Sequence, residues 1–274
     1  MFTDSAVNNL RRLTISHPLI VFFTLAYAFS WVVFGLMIGF QLPVQFTILA
    51  TLGPSIAALI TQRASSGNYR AFRLWTGPRT LIAAAAGGAL IIFAYVVLPG
   101  VTTADPRKLH WGILFSLGVY DYSTLLAGPL GEEPGWRGYA LPRLETLFGP
   151  VRGSAVLALL WAGWHLPLFL VPGWSSAPPW IFALILIGLS MIMTLGANVS
   201  RFSVITAILM HAAFNCVSRF LTGLFAAVEP KAPVPFELVM AVCGLAGAAV
   251  VILATKGRLA YVELPTASVL PEID

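Results

Sequence analysis

Charge is what this chain has least of. Aspartate, glutamate, lysine and arginine make up 10% of its 274 residues, against about 25% in soluble domains. So little charge excludes an ordinary water-soluble globule. Cysteine is nearly missing too. Cys216 and Cys243 both lie inside apolar runs, and there is no CxxC. A secreted disulfide framework is therefore excluded, and small buried thiols are left. No serine or cysteine stands beside a histidine as a nucleophile would. Cys216 adjoins Asn215, but on a helix it points about 100° away. No internal repeat is visible, which argues against a transporter built from inverted repeats.

What is present is apolar. Hydrophobic residues account for 58% of the chain, gathered in runs long enough to cross a bilayer. The expected fold is an all-α polytopic membrane bundle of about eight transmembrane helices. The runs lie near Leu19–Phe40, Val44–Thr61, Leu81–Leu98, Trp111–Leu130, Ser154–Val171, Trp180–Ala197, Val204–Phe225 and Phe236–Ala254. The first exceeds the apolar core of a signal peptide, about 7–15 residues, so a retained span is expected. Residues 1–18 read as a cytoplasmic arm, 19–255 as the membrane domain with a motif core at 131–215, and 256–274 as a polar tail. His17-Pro18 marks a helix entry, and Pro54 within Leu52-Gly53-Pro54-Ser55 predicts a kink. Short amphipathic helices are expected around Tyr69–Leu74 and over Tyr139–Phe148.

The net charge of +5 follows membrane topology rather than nucleic-acid binding. On the side of the N-terminus fall Arg11, Arg12, Arg63, Arg70, Arg73, Arg79, Arg137, Arg143, Arg152, Arg201, Lys256 and Arg258. Arg107, Lys108, Lys231 and Arg219 fall opposite. Twelve against four predicts cytoplasmic N- and C-termini in a cell membrane, the bacterial plasma membrane by composition.

Against this background the few polar residues at membrane depth carry the information, because each costs at least about 2.5–3.5 kcal/mol. Glu132-Glu133-Pro134-Gly135-Trp136-Arg137 holds three formal charges. Glu133 and Arg137 have the i, i+4 spacing of a helical ion pair, while Glu132 points elsewhere and suits general-base work. Pro134-Gly135 puts continuous helix there in question. Trp161-x-x-x-His165 lies deep in the fifth run, with Pro167 loosening the backbone after it. His211-x-x-x-Asn215 lies in the seventh, both side chains on one face. Asp121, with Tyr120, Tyr122 and Ser123, reads as a structural hydrogen-bonding group. Two chemistries follow if Glu132, His165, His211 and Asn215 converge. Glu132 and His165 deprotonate a water while His211 and Asn215 hold an oxyanion. Alternatively His165, His211 and Glu132 bind Zn²⁺ and leave one position for water.

In order and spacing these motifs resemble the CAAX-protease and bacteriocin-processing (CPBP, Abi) family of intramembrane proteases. The family pattern is EExxxR, then an aromatic residue four positions before a histidine, then HxxxN. Leu52-Gly53-Pro54-Ser55-Ile56-Ala57-Ala58-Leu59 is similar to its second-helix signature. The resemblance implies an eight-helix bundle around a polar chamber open to the cytoplasm, and a peptide or protein substrate that is lipidated or membrane-embedded. It implies Glu132 as catalytic base assisted by His165, with His211 and Asn215 stabilising the oxyanion and Glu133, Arg137 and Trp161 in support. Both a zinc and a metal-free glutamate mechanism are associated with the family. Trp161 stands where phenylalanine is a common choice. The competing readings are a non-catalytic scaffold or bacteriocin-immunity protein and, more remotely, a small-solute transporter.

Overall fold

Proline and glycine set the ends of the helices. The computed structural model describes residues 11–69, 72–99, 128–171, 174–175, 177–225 and 235–263. Among them the regular structure is helical throughout, with no strand. Helix α1 (Pro18–Gly39) opens with Pro18 in its first turn, where a missing N–H costs no hydrogen bond, and His17 is its N-cap residue. Helix α2 (Thr47–Ser66) carries Pro54 inside it and ends at Gly67, whose φ of 72° is the left-handed stop that glycine tolerates. Helix α3 (Arg79–Ile92) passes into a π turn, Phe93–Val97.

Helix α4, residues 128–135, widens into a second π turn, Trp136–Ala140, and resumes as α5 (Leu141–Phe148). Gly149 breaks it and Pro150 starts α6 (Pro150–Trp164), extended by a 3₁₀ stretch, Leu166–Leu170, that contains Pro167. Helices α7 (Pro179–Val199), α8 (Val204–Phe225) and α9 (Phe236–Ala254) complete the order. Four stretches are long and apolar enough to cross a membrane: α1, α6 with its extension to Leu170, α7 and α9. Helices α3 and α8 add shorter apolar segments, Arg79–Tyr95 and Val204–Cys216. The chain is a polytopic helical membrane protein. Most of the expected fourth span, with Asp121 and its neighbours, lies outside the described residues, as do residues 1–10, 100–110 and 264–274.

Two sequence expectations are corrected. No helix forms at Tyr69 or over 72–74. That segment instead offers its carbonyls to the first turn of α8: Val204 N donates to Arg73 O at 2.8 Å and Ile205 N to Leu74 O at 3.3 Å. These are donors that a helix start cannot satisfy itself. The Tyr139–Phe148 segment is helical, but its charged residues do not face water. Arg143 and Glu145 are both buried. Arg143 donates to Gln62 Oε1 at 3.0 Å and to the Tyr139 carbonyl at 2.8 Å. Glu145 Oε1 accepts from Asn198 Nδ2 at 2.8 Å, and the same amide reaches the Leu259 carbonyl at 3.0 Å.

Helix α4 lies backbone against backbone on α2. A Cβ on Gly131 would stand 2.6 Å from the Thr51 carbonyl oxygen, and one on Gly135 would stand 2.5 Å from that of Pro54. Ser55 Oγ donates to the Gly131 carbonyl at 2.6 Å. Small residues permit this approach, as they do between membrane helices generally. It anchors the acidic motif to the rigid middle of α2.

Candidate active site

Helix α4 is continuous through Pro134, so the i, i+4 geometry holds at both glutamates. Arg137 Nη1 donates to Glu133 Oε1 at 2.9 Å and to Oε2 at 3.2 Å. Glu133 has a second partner. His211 Nδ1, from α8, lies 2.7 Å from Oε1. Glu133 and Arg137 are almost fully excluded from solvent. Each charge therefore depends on the other, since a buried charge without a partner is strongly destabilising.

Glu132 has different company. Trp161 Nε1 on α6 donates to its Oε2 at 2.7 Å, and Trp136 Nε1 donates to the same oxygen at 3.2 Å. Trp136 is one α-helical turn after Glu132 and opens the π turn, a feature often found at functional sites. Glu132 lies within electrostatic reach of both Glu133 and His211. The histidine that hydrogen-bonds a glutamate, however, takes Glu133. The groups that hold Glu132 at hydrogen-bonding distance are indole N–H donors, and His211 acts on it electrostatically.

Trp161 is the hub of the cluster. The Arg137 guanidinium lies 4.2 Å from its ring centroid, a cation–π arrangement. The His211 ring meets it edge-on at 5.2 Å, and the His165 ring lies at 5.9 Å. His165 Nδ1 is 2.8 Å from the Trp161 carbonyl. A carbonyl only accepts, so Nδ1 carries the proton and the neutral ring keeps its lone pair on Nε2. Trp164, Trp174 and Phe182 pack around the same imidazole. Asn215, half-buried on α8, brings its Nδ2 to within 3.8 Å of where a Cβ on Gly128 would sit, and Glu132 Oε1 comes within 3.3 Å of that point.

Every candidate residue of the three motifs thus meets in one region where α4, α6 and α8 approach. Sequence reasoning passed over Trp136, although its position four residues after Glu132 was a readable signal. The donor set does not fit the zinc alternative as placed. Among the described residues no three His, Cys, Asp or Glu side chains converge to hold a metal ion. Glu132 Oε2 is already occupied by two N–H donors. Cys216 and Cys243 are free thiols.

Residues 111–217 match the Rce1-like family of type II CAAX prenyl endopeptidases. The chain is 30% identical over 123 residues to CAAX prenyl protease 2 of Methanococcus maripaludis, a match that covers 38% of this chain and 44% of that protein. The segment similar to that family contains all three motifs, and the chain spans less than half the length of the curated relative it matches.

Proposed function

We propose that the protein is an intramembrane endopeptidase that hydrolyses a peptide bond with a water activated by Glu132. The observation that carries this reading is the different treatment of two adjacent carboxylates. Glu133 is neutralised by Arg137 and hydrogen-bonded by His211. Among the described residues Glu132 has no cationic partner at hydrogen-bonding distance and only neutral N–H donors, both on one oxygen. A carboxylate held in place without a counter-charge is suited to taking a proton.

In this mechanism Glu132 accepts a proton from the water, and the Nε2 lone pair of His165 assists. The resulting hydroxide adds to the scissile carbonyl. His211 and Asn215 donate to the oxyanion that forms, and protonated Glu132 returns its proton to the leaving amine. For His211 to donate, Nε2 must carry a proton. Glu133, at 2.7 Å from Nδ1, supplies the counter-charge such an imidazolium needs. Preorganised donors of this kind typically contribute about 10²–10³ in rate. The substrate is a peptide or protein presented at the membrane, with a lipid-modified C-terminal segment as the first candidate. The positive-inside asymmetry supports a site facing the cytoplasm.

The test is hydrolysis of a farnesylated CAAX peptide, and of the same peptide without the lipid, by purified protein in proteoliposomes. Wild type cleaves, and Glu132→Gln does not while it inserts and elutes as wild type does. Cleavage of neither peptide nor of other membrane peptides by wild type would favour the non-catalytic reading.

A further inference from the structure

We infer that Trp136 and Trp161 are positioning residues that clamp one oxygen of Glu132, so that the other, Oε1, is the basic atom. The inference rests on the proposed role of Glu132 and assigns what that role leaves open: which oxygen acts.

The geometry is asymmetric. Both indole N–H groups converge on Oε2, at 2.7 Å from Trp161 and 3.2 Å from Trp136. Among the described residues no hydrogen bond falls on Oε1. A carboxylate oxygen that accepts two N–H bonds has both in-plane lone pairs engaged, so a proton taken from water goes to the other oxygen. The two donors come from different helices, α4 and α6. The carboxylate plane is therefore fixed against rotation about its terminal torsion, which is otherwise soft.

Oε1 faces the bare Cα of Gly128, one turn earlier on α4. A Cβ built there meets only Glu132 Oε1 at 3.3 Å and Asn215 Nδ2 at 3.8 Å among the described residues. A methyl group there would be tighter than ordinary van der Waals contact and would press on the unclamped oxygen. Glycine is not needed there for backbone freedom, since residue 128 is helical, and alanine would favour the helix. Its absent side chain leaves Oε1 uncrowded. At residue 161 only an indole brings an N–H to this carboxylate; a phenylalanine ring of similar size would not.

The experiment pairs two kinds of variant in proteoliposomes, read with the farnesylated CAAX peptide. Trp136→Phe and Trp161→Phe keep an aromatic ring and remove one donor each. Each lowers kcat about 10-fold or more while KM moves less than twofold, and the acid limb of the kcat profile moves to higher pH. Replacing Trp161 with benzothienylalanine, which keeps the shape and lacks the N–H, reproduces Trp161→Phe, and a structural role would leave it near wild type. Gly128→Ala lowers kcat by at least about 100-fold with thermal stability equal to or above wild type. The inference is overturned if the benzothienyl variant retains wild-type kcat and pH profile, or if Gly128→Ala retains wild-type kcat. Retained cleavage by Glu132→Gln would instead sink the underlying assignment, so the two failures are distinguishable.

Discussion

Trp161 holds Glu132 by its indole N–H at 2.7 Å. Its own main-chain carbonyl, in turn, accepts from His165 Nδ1 at 2.8 Å. One residue of α6 therefore fixes both the proposed base and the imidazole beside it. The same ring lies under Arg137 and against His211. The site is a cluster built around an aromatic side chain, with the charged groups arranged on its periphery.

The Glu133–Arg137 pair has the signature of a buried ion pair whose halves cannot be removed singly. Arg137→Leu leaves Glu133 with His211 alone and lowers stability by about 3–5 kcal/mol. Adding Glu133→Gln restores more than half of that loss, because the stranded charge goes too. Unfolding in mixed micelles, followed by circular dichroism, gives the double-mutant cycle. A double-variant loss equal to the sum of the two single losses would show that the ion pair is not coupled.

Close packing of α4 on α2 makes Gly135 intolerant of any side chain. Gly135→Ala puts a methyl 2.5 Å from the Pro54 carbonyl oxygen, where both neighbours are backbone. The helices must separate, and the expected cost is about 1–3 kcal/mol. Activity falls as well, because Glu132 and Trp136 ride on α4. Gly149→Ala, in open space but at φ of 76°, is a control for strain alone. It should lower stability without a comparable fall in kcat.

Glu145 predicts a pH dependence of stability that is independent of catalysis. It belongs to α5, outside the spans, and burial pushes its carboxyl up to about 8. The unfolded chain titrates near the ordinary value of about 4.3. Between these values the native state holds a proton that the unfolded state has lost. Stability therefore falls as pH rises through this window, by at most about 1.4 kcal/mol per unit, and levels off beyond it. Glu145→Gln keeps an acceptor for Asn198 Nδ2 and removes this slope. An unchanged slope in the variant would contradict the assignment.

Much of this was legible in the sequence. The bounds of α8 and α9 coincide with apolar runs because a short loop or Pro235 delimits each. Glu133 and Arg137 announced their pairing by spacing alone. The break suspected at Pro134 did not occur. The helix instead continues and widens into a π turn, and Ser55 on α2 reaches the adjacent Gly131 carbonyl. The partners of Glu132 could not be read locally, since Trp161 approaches from a helix 29 residues away. In sequence Trp161 reads as an aromatic spacer, and only the assembled bundle makes its N–H a donor. Arg143 and Glu145 looked like a solvated face for the same reason. Their partners, Gln62 and Asn198, lie on α2 and α7.

The central claim is that Glu132 activates the water, and the most direct measurement is single-turnover hydrolysis by Glu132→Gln in proteoliposomes. Glutamine keeps an acceptor for both indoles but cannot take a proton. The account predicts that peptide binding is retained and that the rate falls at least about 100-fold, within the range of lost general-base catalysis. Hydrolysis within a few-fold of wild type, by a variant that binds and folds normally, would contradict it.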